Sequence, residues 1–133
     1  MNDCIFCAIV TGESPSLRVA ESELAIALLD VNPANLGHSL VLPKRHADDI
    51  WDLSAQDGAA TWSLVQETAA RLKAKLNPDG MTLFQANRRA GWQDVFHFHV
   101  HVVPRWTNDR LIRPWESIPV DRSELERVAA LLA

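Results

Sequence analysis

The run Phe96-His97-Phe98-His99-Val100-His101-Val102 decides how this chain is read. Apolar and imidazole side chains alternate through it with the period of a β-strand, where residues two apart share a face. It is therefore read as a strand over residues 95–103. One face carries His97, His99 and His101, while Phe96, Phe98, Val100 and Val102 enter the core. A lone histidine is most simply a polar residue on a solvated sheet face. Three in register weigh against that, and two at i and i+2 can ligate one zinc ion with a coordinated water as nucleophile.

Working outward, residues 23–30 form an apolar run that reads as a buried strand. Residues 38–42 form a second, after the turn-prone Asn32-Pro33-Ala34-Asn35-Leu36-Gly37, so the two should pair as neighbours. Ser54, with Asp57 three residues on, opens a helix whose apolar side is Trp62, Val65, Ala69, Leu72 and Leu76. Asn77-Pro78-Asp79-Gly80 ends it. Residues 81–87 read as a strand joined to 95–103 by a polar loop containing Gly91, compatible with an antiparallel connection. Residues 112–119 are a proline-punctuated loop before a last helix. Asp121 and Glu124 would cap that helix, Val120 and Leu125 would staple it, and Leu125, Val128 and Leu132 would give it an apolar side. Strands gathered around one long helix, without regular β-α alternation, predict an α+β fold with an antiparallel sheet.

The chain has 133 residues, 47% of them hydrophobic, enough for one core in a single domain over residues 1–133. Its formal charge is −4, and its Lys and Arg are scattered, so no basic stripe offers a footprint for a nucleic-acid polymer. The opening Met1-Asn2-Asp3-Cys4 has neither the basic segment nor the apolar run of a secretory signal, and no stretch approaches the roughly 20 apolar residues of a bilayer span. The expectation is a cytoplasmic protein without a membrane partner. The two cysteines, Cys4 and Cys7, are too close to staple a fold. They read as half a tetrahedral zinc site, a redox pair or two buried thiols.

The segment Gln93-Asp94-Val95-Phe96-His97-Phe98-His99-Val100-His101-Val102-Val103-Pro104-Arg105 closely resembles the signature of the histidine-triad family. The likeness extends to Cys4-Ile5-Phe6-Cys7-Ala8-Ile9-Val10, to Leu29-Asp30-Val31-Asn32-Pro33, and to Gly37-His38-Ser39-Leu40-Val41-Leu42-Pro43-Lys44-Arg45-His46. It covers a motif-bearing core of residues 4–106, with the loop and helix of 107–133 outside it. The resemblance implies a five-stranded antiparallel sheet with one long helix and a C-terminal helix, a homodimer, and hydrolysis or nucleotidyl transfer at the α-phosphate of a nucleoside phosphate derivative. The substrates implied are a dinucleoside polyphosphate or a nucleoside phosphoramidate, with a purine base favoured. His99 takes the place of the nucleophile, forming a nucleotidyl-histidine intermediate, with His101 and His38 as flanking phosphate donors. Asp30 would bind the ribose hydroxyls. Asn87 and Gln93 would supply neutral hydrogen bonds to phosphate or sugar. Phe6, Ile9 and Val31 would form a slot for the base, Phe6 and Ile9 being nearly as readable as core.

In several bacterial relatives the ligands completing the Cys4/Cys7 pair correspond to His46 and His97, which implies a structural zinc ion on Cys4, Cys7, His46 and His97. A closed four-ligand site leaves no position for a metal-bound water. Two departures stand out. The loop Arg88-Arg89-Ala90-Gly91-Trp92 is bulky and cationic where relatives are glycine-rich, which points to a larger or more anionic leaving group. Asp94 stands where phosphoramidase-type relatives carry Ser, replacing a hydroxyl donor by a carboxylate. Two other function classes remain open: a non-catalytic nucleotide-binding module, and a zinc-dependent hydrolase built on the strand histidines.

Overall fold

A computed structural model describes residues 3–133. Its elements are α1 (Ile5–Thr11), β1 (Arg18–Glu21), β2 (Ala25–Leu29), β3 (Ser39–Pro43), α2 (Ala55–Leu76), β4 (Gly80–Gln85), β5 (Val100–Arg105) and α3 (Arg122–Leu132), with a short 3₁₀ turn at Arg89–Gly91. The five strands form one antiparallel sheet in the order β1-β2-β3-β5-β4. The fold is α+β, with β2 and β3 neighbours as their sequences require. No helix among the described residues is long and apolar enough to cross a membrane.

The central strands β2 and β3 are buried on both faces, and β2 encodes how. Ala25 and Ala27 point to the side covered by α2, packing with Val41, Leu64, Val65, Leu72 and Val102. Ile26 and Leu28 point to the opposite side and pack with Phe6, Ile9, Leu40 and Leu42. Small side chains thus sit under the long helix and large ones under the short one, which keeps both layers close-packed.

Helix α2 begins where expected. The Ser54 hydroxyl accepts from the Asp57 backbone N–H at 3.1 Å, and Asn77 closes the helix in the left-handed region. Its buried stripe is Asp57, Thr61, Leu64, Val65, Thr68 and Leu72, displaced from the expected face. Trp62 and Leu76 are exposed. The two threonines tolerate burial because each hydroxyl donates to a carbonyl four residues back, at 2.7 Å, leaving a methyl to pack.

Strand β5 starts at Val100, five residues later than its alternation predicts. Its pairing with β3 runs from Ser39↔Val102 to Val41↔Val100, and two more pairs on would oppose Phe98 to Pro43. Proline has no N–H to offer, and the Pro43 carbonyl is taken by the His97 ring at 2.8 Å. The ladder ends there, and residues 94–99 run as an irregular segment. Phe98, Val100 and Val102 are buried as expected, but Phe96 is 44% exposed. The C-terminal helix also departs from its reading. Asp121 makes no side-chain cap bond, and Val120, Leu125, Val128 and Leu132 stay exposed.

Candidate active site and metal centre

The hydrogen-bond partners of the histidines fix their tautomers. His99 Nδ1 lies 2.7 Å from the His97 carbonyl oxygen, which can only accept, so Nδ1 carries the proton and Nε2 the lone pair. The Ala34 N–H, which can only donate, points at His38 Nδ1 at 3.0 Å. The proton of neutral His38 is therefore on Nε2, 2.9 Å from His101 Nδ1. His38 donates there, which leaves the proton of His101 on Nε2. The result is a relay: Ala34 N–H to His38, then His38 N–H to His101, with the remaining N–H on His101 Nε2.

Burial, more than any neighbour, favours the neutral form of His38 and His101. It holds the His101 pKa down to about 4, helped by His99 and His38 and opposed by Asp94 and Asp30. His38 is lowered for the same first reason, against the pull of Asp30, whose Oδ2 is 3.5 Å from its Nε2. His101 is further fixed by Phe84, stacked on it at 4.0 Å and 8° between planes. Phe6 meets His99 edge-on at 5.1 Å.

A groove of about 400 Å³ runs past these rings, within the range of small-molecule sites. His99 and His101 line it together with Asp30, Asp94, Val31, Phe6 and Ile9. Asp94 Oδ1 lies 3.6 Å from His99 Nε2. His38, Asn87 and Gln93 are not among the lining residues. His38, expected as a direct donor, has its one N–H turned to His101. The Asn87 amide is bound to Gln85, and its oxygen also accepts from the Ile50 N–H at 2.8 Å. Buried Gln93 accepts from the Arg88 N–H at 2.7 Å and donates to the Asp48 and Val95 carbonyls. Both amides hold the loop between β4 and β5. That loop contains two non-glycine residues at positive φ, Arg88 at 62° and Trp92 at 75°. Its cations are not aimed together at the groove: Arg88 pairs with Asp49 at 3.1 Å and lies over the Trp51 ring, while Arg89 is exposed.

The second cluster lies under the irregular segment. Cys4 Sγ is 3.4 Å from His97 Nδ1, and Cys7 Sγ is 3.5 Å from the same atom and 3.4 Å from His46 Nδ1. All four candidate ligand atoms fall within 4.8 Å of one another. Tetrahedral zinc, with bonds of about 2.0–2.3 Å, needs neighbouring ligands about 3.3–3.8 Å apart, and the three Cys–His separations of 3.4, 3.4 and 3.5 Å fall in that range. The tautomers fit as well. His97 Nε2–H donates to the Pro43 carbonyl and His46 Nε2–H to Asp48 Oδ1 at 2.6 Å, so both Nδ1 lone pairs face the sulfurs. Asp30, His38 and His101 also cluster. Here the tautomer argues the other way, because with its Nδ1 accepting from Ala34, His38 has a proton where a metal would bind.

Phe84, Pro43 and Asp48 escaped the sequence reading. Asp48 alone left a trace, since a carboxylate two residues after a suspected ligand is a natural acceptor for the other ring nitrogen.

Fold and groove together define an α+β protein with a groove of small-molecule size lined by oriented imidazoles. Residues 11–108 match the HIT domain family. The curated relative "Adenylylsulfatase HINT3" of Arabidopsis thaliana is 35% identical over 125 residues, covering 94% of this chain and 62% of its own length. A HIT family protein from Bacillus anthracis superposes with a TM-score of 0.92 at 35% identity, over 98% of this chain and 95% of that one. A zinc-bound histidine triad family protein from Mycobacterium smegmatis gives 0.79 at 38% identity, over 98% and 94%. The chain belongs to the HIT, or histidine-triad, family.

Proposed function

We propose that this chain cleaves nucleoside phosphate derivatives at the α-phosphorus, with His99 as nucleophile. The observation that carries the reading is the 2.7 Å bond from His99 Nδ1–H to the His97 carbonyl, which leaves the Nε2 lone pair on a ring that lines the groove. Nε2 attacks phosphorus and the leaving group departs with its electron pair. Water or another acceptor then displaces the imidazole and releases a nucleoside monophosphate. His101 Nε2–H donates to a phosphate oxygen without adding charge, and His38 supports it through the relay. Asp30 takes the ribose hydroxyls, and Val31, Phe6 and Ile9 take the base, a purine in our reading. Asn87 and Gln93 serve the substrate through the loop they hold. Asp94, beside the nucleophile in place of a hydroxyl, favours polyphosphate or other acidic leaving groups over amines.

Zinc is the metal we assign to Cys4, Cys7, His46 and His97, on the Cys₂His₂ donor set and its tautomers. Its contribution is structural, since four protein ligands leave no open position. A homodimer would form through the β4 edge, where Leu83 and Phe84 are 40% and 46% exposed.

A panel of dinucleoside polyphosphates, adenosine and guanosine phosphoramidates, and adenylyl sulfate, assayed for released monophosphate, tests the activity. Alkaline rapid quench should trap a nucleotidyl adduct on the His99 peptide, and His99→Ala should abolish turnover while nucleotide still binds. Residual turnover only 10²–10⁴-fold below the parent, with no adduct, would instead make His99 a general base. Binding without turnover of any compound would favour a nucleotide-binding module.

A further inference from the structure

We infer that the metal centre orients the nucleophile, with His97 as a positioning residue whose ring serves the metal and whose carbonyl serves His99. The inference rests on the reading of His99 as nucleophile and concerns what keeps its lone pair on Nε2. A peptide unit is planar, so fixing its N–H fixes its C=O. The unit between His97 and Phe98 carries the carbonyl that holds His99 Nδ1–H, and its N–H donates to the Ala47 carbonyl at 2.7 Å. Ala47 directly follows His46. The plane that orients His99 is thus clamped between two residues whose rings meet at the cluster, His46 and His97, with ring centroids 4.9 Å apart.

Residues 94–99 lie outside the strand ladder, so regular sheet bonds do not supply the restraint. His97 is fully buried, held by Pro43 on one ring nitrogen and facing the sulfurs with the other. A metal bound to both histidines closes the clamp. Without it, the 46–48 segment and residue 97 are joined by the Phe98–Ala47 bond, by the edge-on contact of the His46 and His97 rings and by the Cys7 thiol that reaches both, none of them as stiff as a metal–ligand bond. The peptide can then rotate, His99 loses its acceptor, and the tautomer with the proton on Nε2, which has no lone pair for phosphorus, becomes populated. His101 is held separately, through His38 and Ala34, and provides an internal reference.

The test is long-range ¹H–¹⁵N imidazole spectroscopy on ¹⁵N-labelled full-length protein. With zinc bound, His99 should show one tautomer with the proton on Nδ1. Chelator-stripped protein that is still folded by circular dichroism should show mixed His99 tautomers, with His101 unchanged. Turnover should fall about 10–100-fold with KM within about threefold, the range seen when outer-shell support is lost. Should stripping unfold the chain, cadmium-loaded protein replaces it: the larger ion expands the cage, and the His99 ring signals should shift while those of His101 stay. An unmoved His99 tautomer in stripped or cadmium-loaded protein, a parallel change in His101, or isolated protein lacking metal would overturn the inference. A His99 response in protein that turns over no nucleotide would leave the positioning role standing and remove the proposed chemistry instead.

Discussion

Gly37→Ala should cost this protein about 2–5 kcal/mol, a large share of the 5–15 kcal/mol typical of a domain. Gly37 has φ +92°, in the region that favours glycine, and an alanine there costs about 1–2 kcal/mol in backbone strain. A Cβ would also meet Leu76 Cδ1 at 2.6 Å, Pro104 Cγ at 3.1 Å and Leu72 Cδ2 at 3.3 Å. Leu76 is partly exposed and can swing away, but Pro104 and Leu72 are buried and cannot, so overpacking adds about 1–3 kcal/mol. His38 is the next residue, and its ring starts the relay to His101, so turnover should fall along with stability. Gly58→Ala is the matched control. Its Cβ would sit 3.4 Å from Leu53 Cδ2, an ordinary contact with a residue just before α2, and should stabilise by about 0.5–1 kcal/mol. Urea unfolding at fixed protein concentration reads both as midpoint shifts at unchanged slope. A Gly37→Ala midpoint within 0.5 kcal/mol of the parent, or the same sign for both variants, would refute the packing argument.

Elemental analysis should find about one zinc per chain, and Cys4→Ser with Cys7→Ser should remove it and lower stability; zinc retained in the double variant excludes the site. Gln93→Ala removes the buried amide that restrains the Arg88–Trp92 loop and should cost about 1–3 kcal/mol in urea unfolding, with faster proteolysis within residues 86–95; a neutral result would mean the loop holds itself. The buried His101, at about 4 when folded and near 6.5 when unfolded, prefers to be neutral in the native state. Its contribution to stability is therefore complete above about pH 6.5 and declines as pH falls toward 4, with a slope of up to about 1.4 kcal/mol per unit. His101→Asn should flatten that decline; an unchanged pH profile would show the ring is not the group being titrated. Arg89→Ala should lower the preference for polyphosphate over phosphoramidate substrates more than Arg88→Ala does, because Arg88 is already paired with Asp49; equal effects would remove the loop as a selector.

What was legible in the sequence was whatever depends on period and on end signals. The β2 and β3 runs and the Ser54 start and Asn77 stop of α2 all have local causes. Features with distant causes were not legible. The buried stripe of α2 differs from the expected one because Thr61 and Thr68 satisfy their hydroxyls against their own helix, which a polarity pattern scores as exposure. The start of β5 depends on Pro43, more than fifty residues upstream, and on the ring that claims its carbonyl. Phe84 reaches His101 only because β4 pairs with β5 in one register, Phe84↔His101.

The misread start of β5 and the chemistry of the site share one cause. A regular strand through residue 97 would have engaged backbone groups in a ladder, whereas the irregular segment leaves the His97 carbonyl to accept from His99 and turns the His97 ring toward two cysteines. Pro43 imposes that irregularity by withholding an N–H and compensates for it by accepting from the ring. Local pattern fails at the point where a strand is exchanged for an oriented imidazole, because the pattern encodes burial and the exchange is made by hydrogen bonds between distant segments.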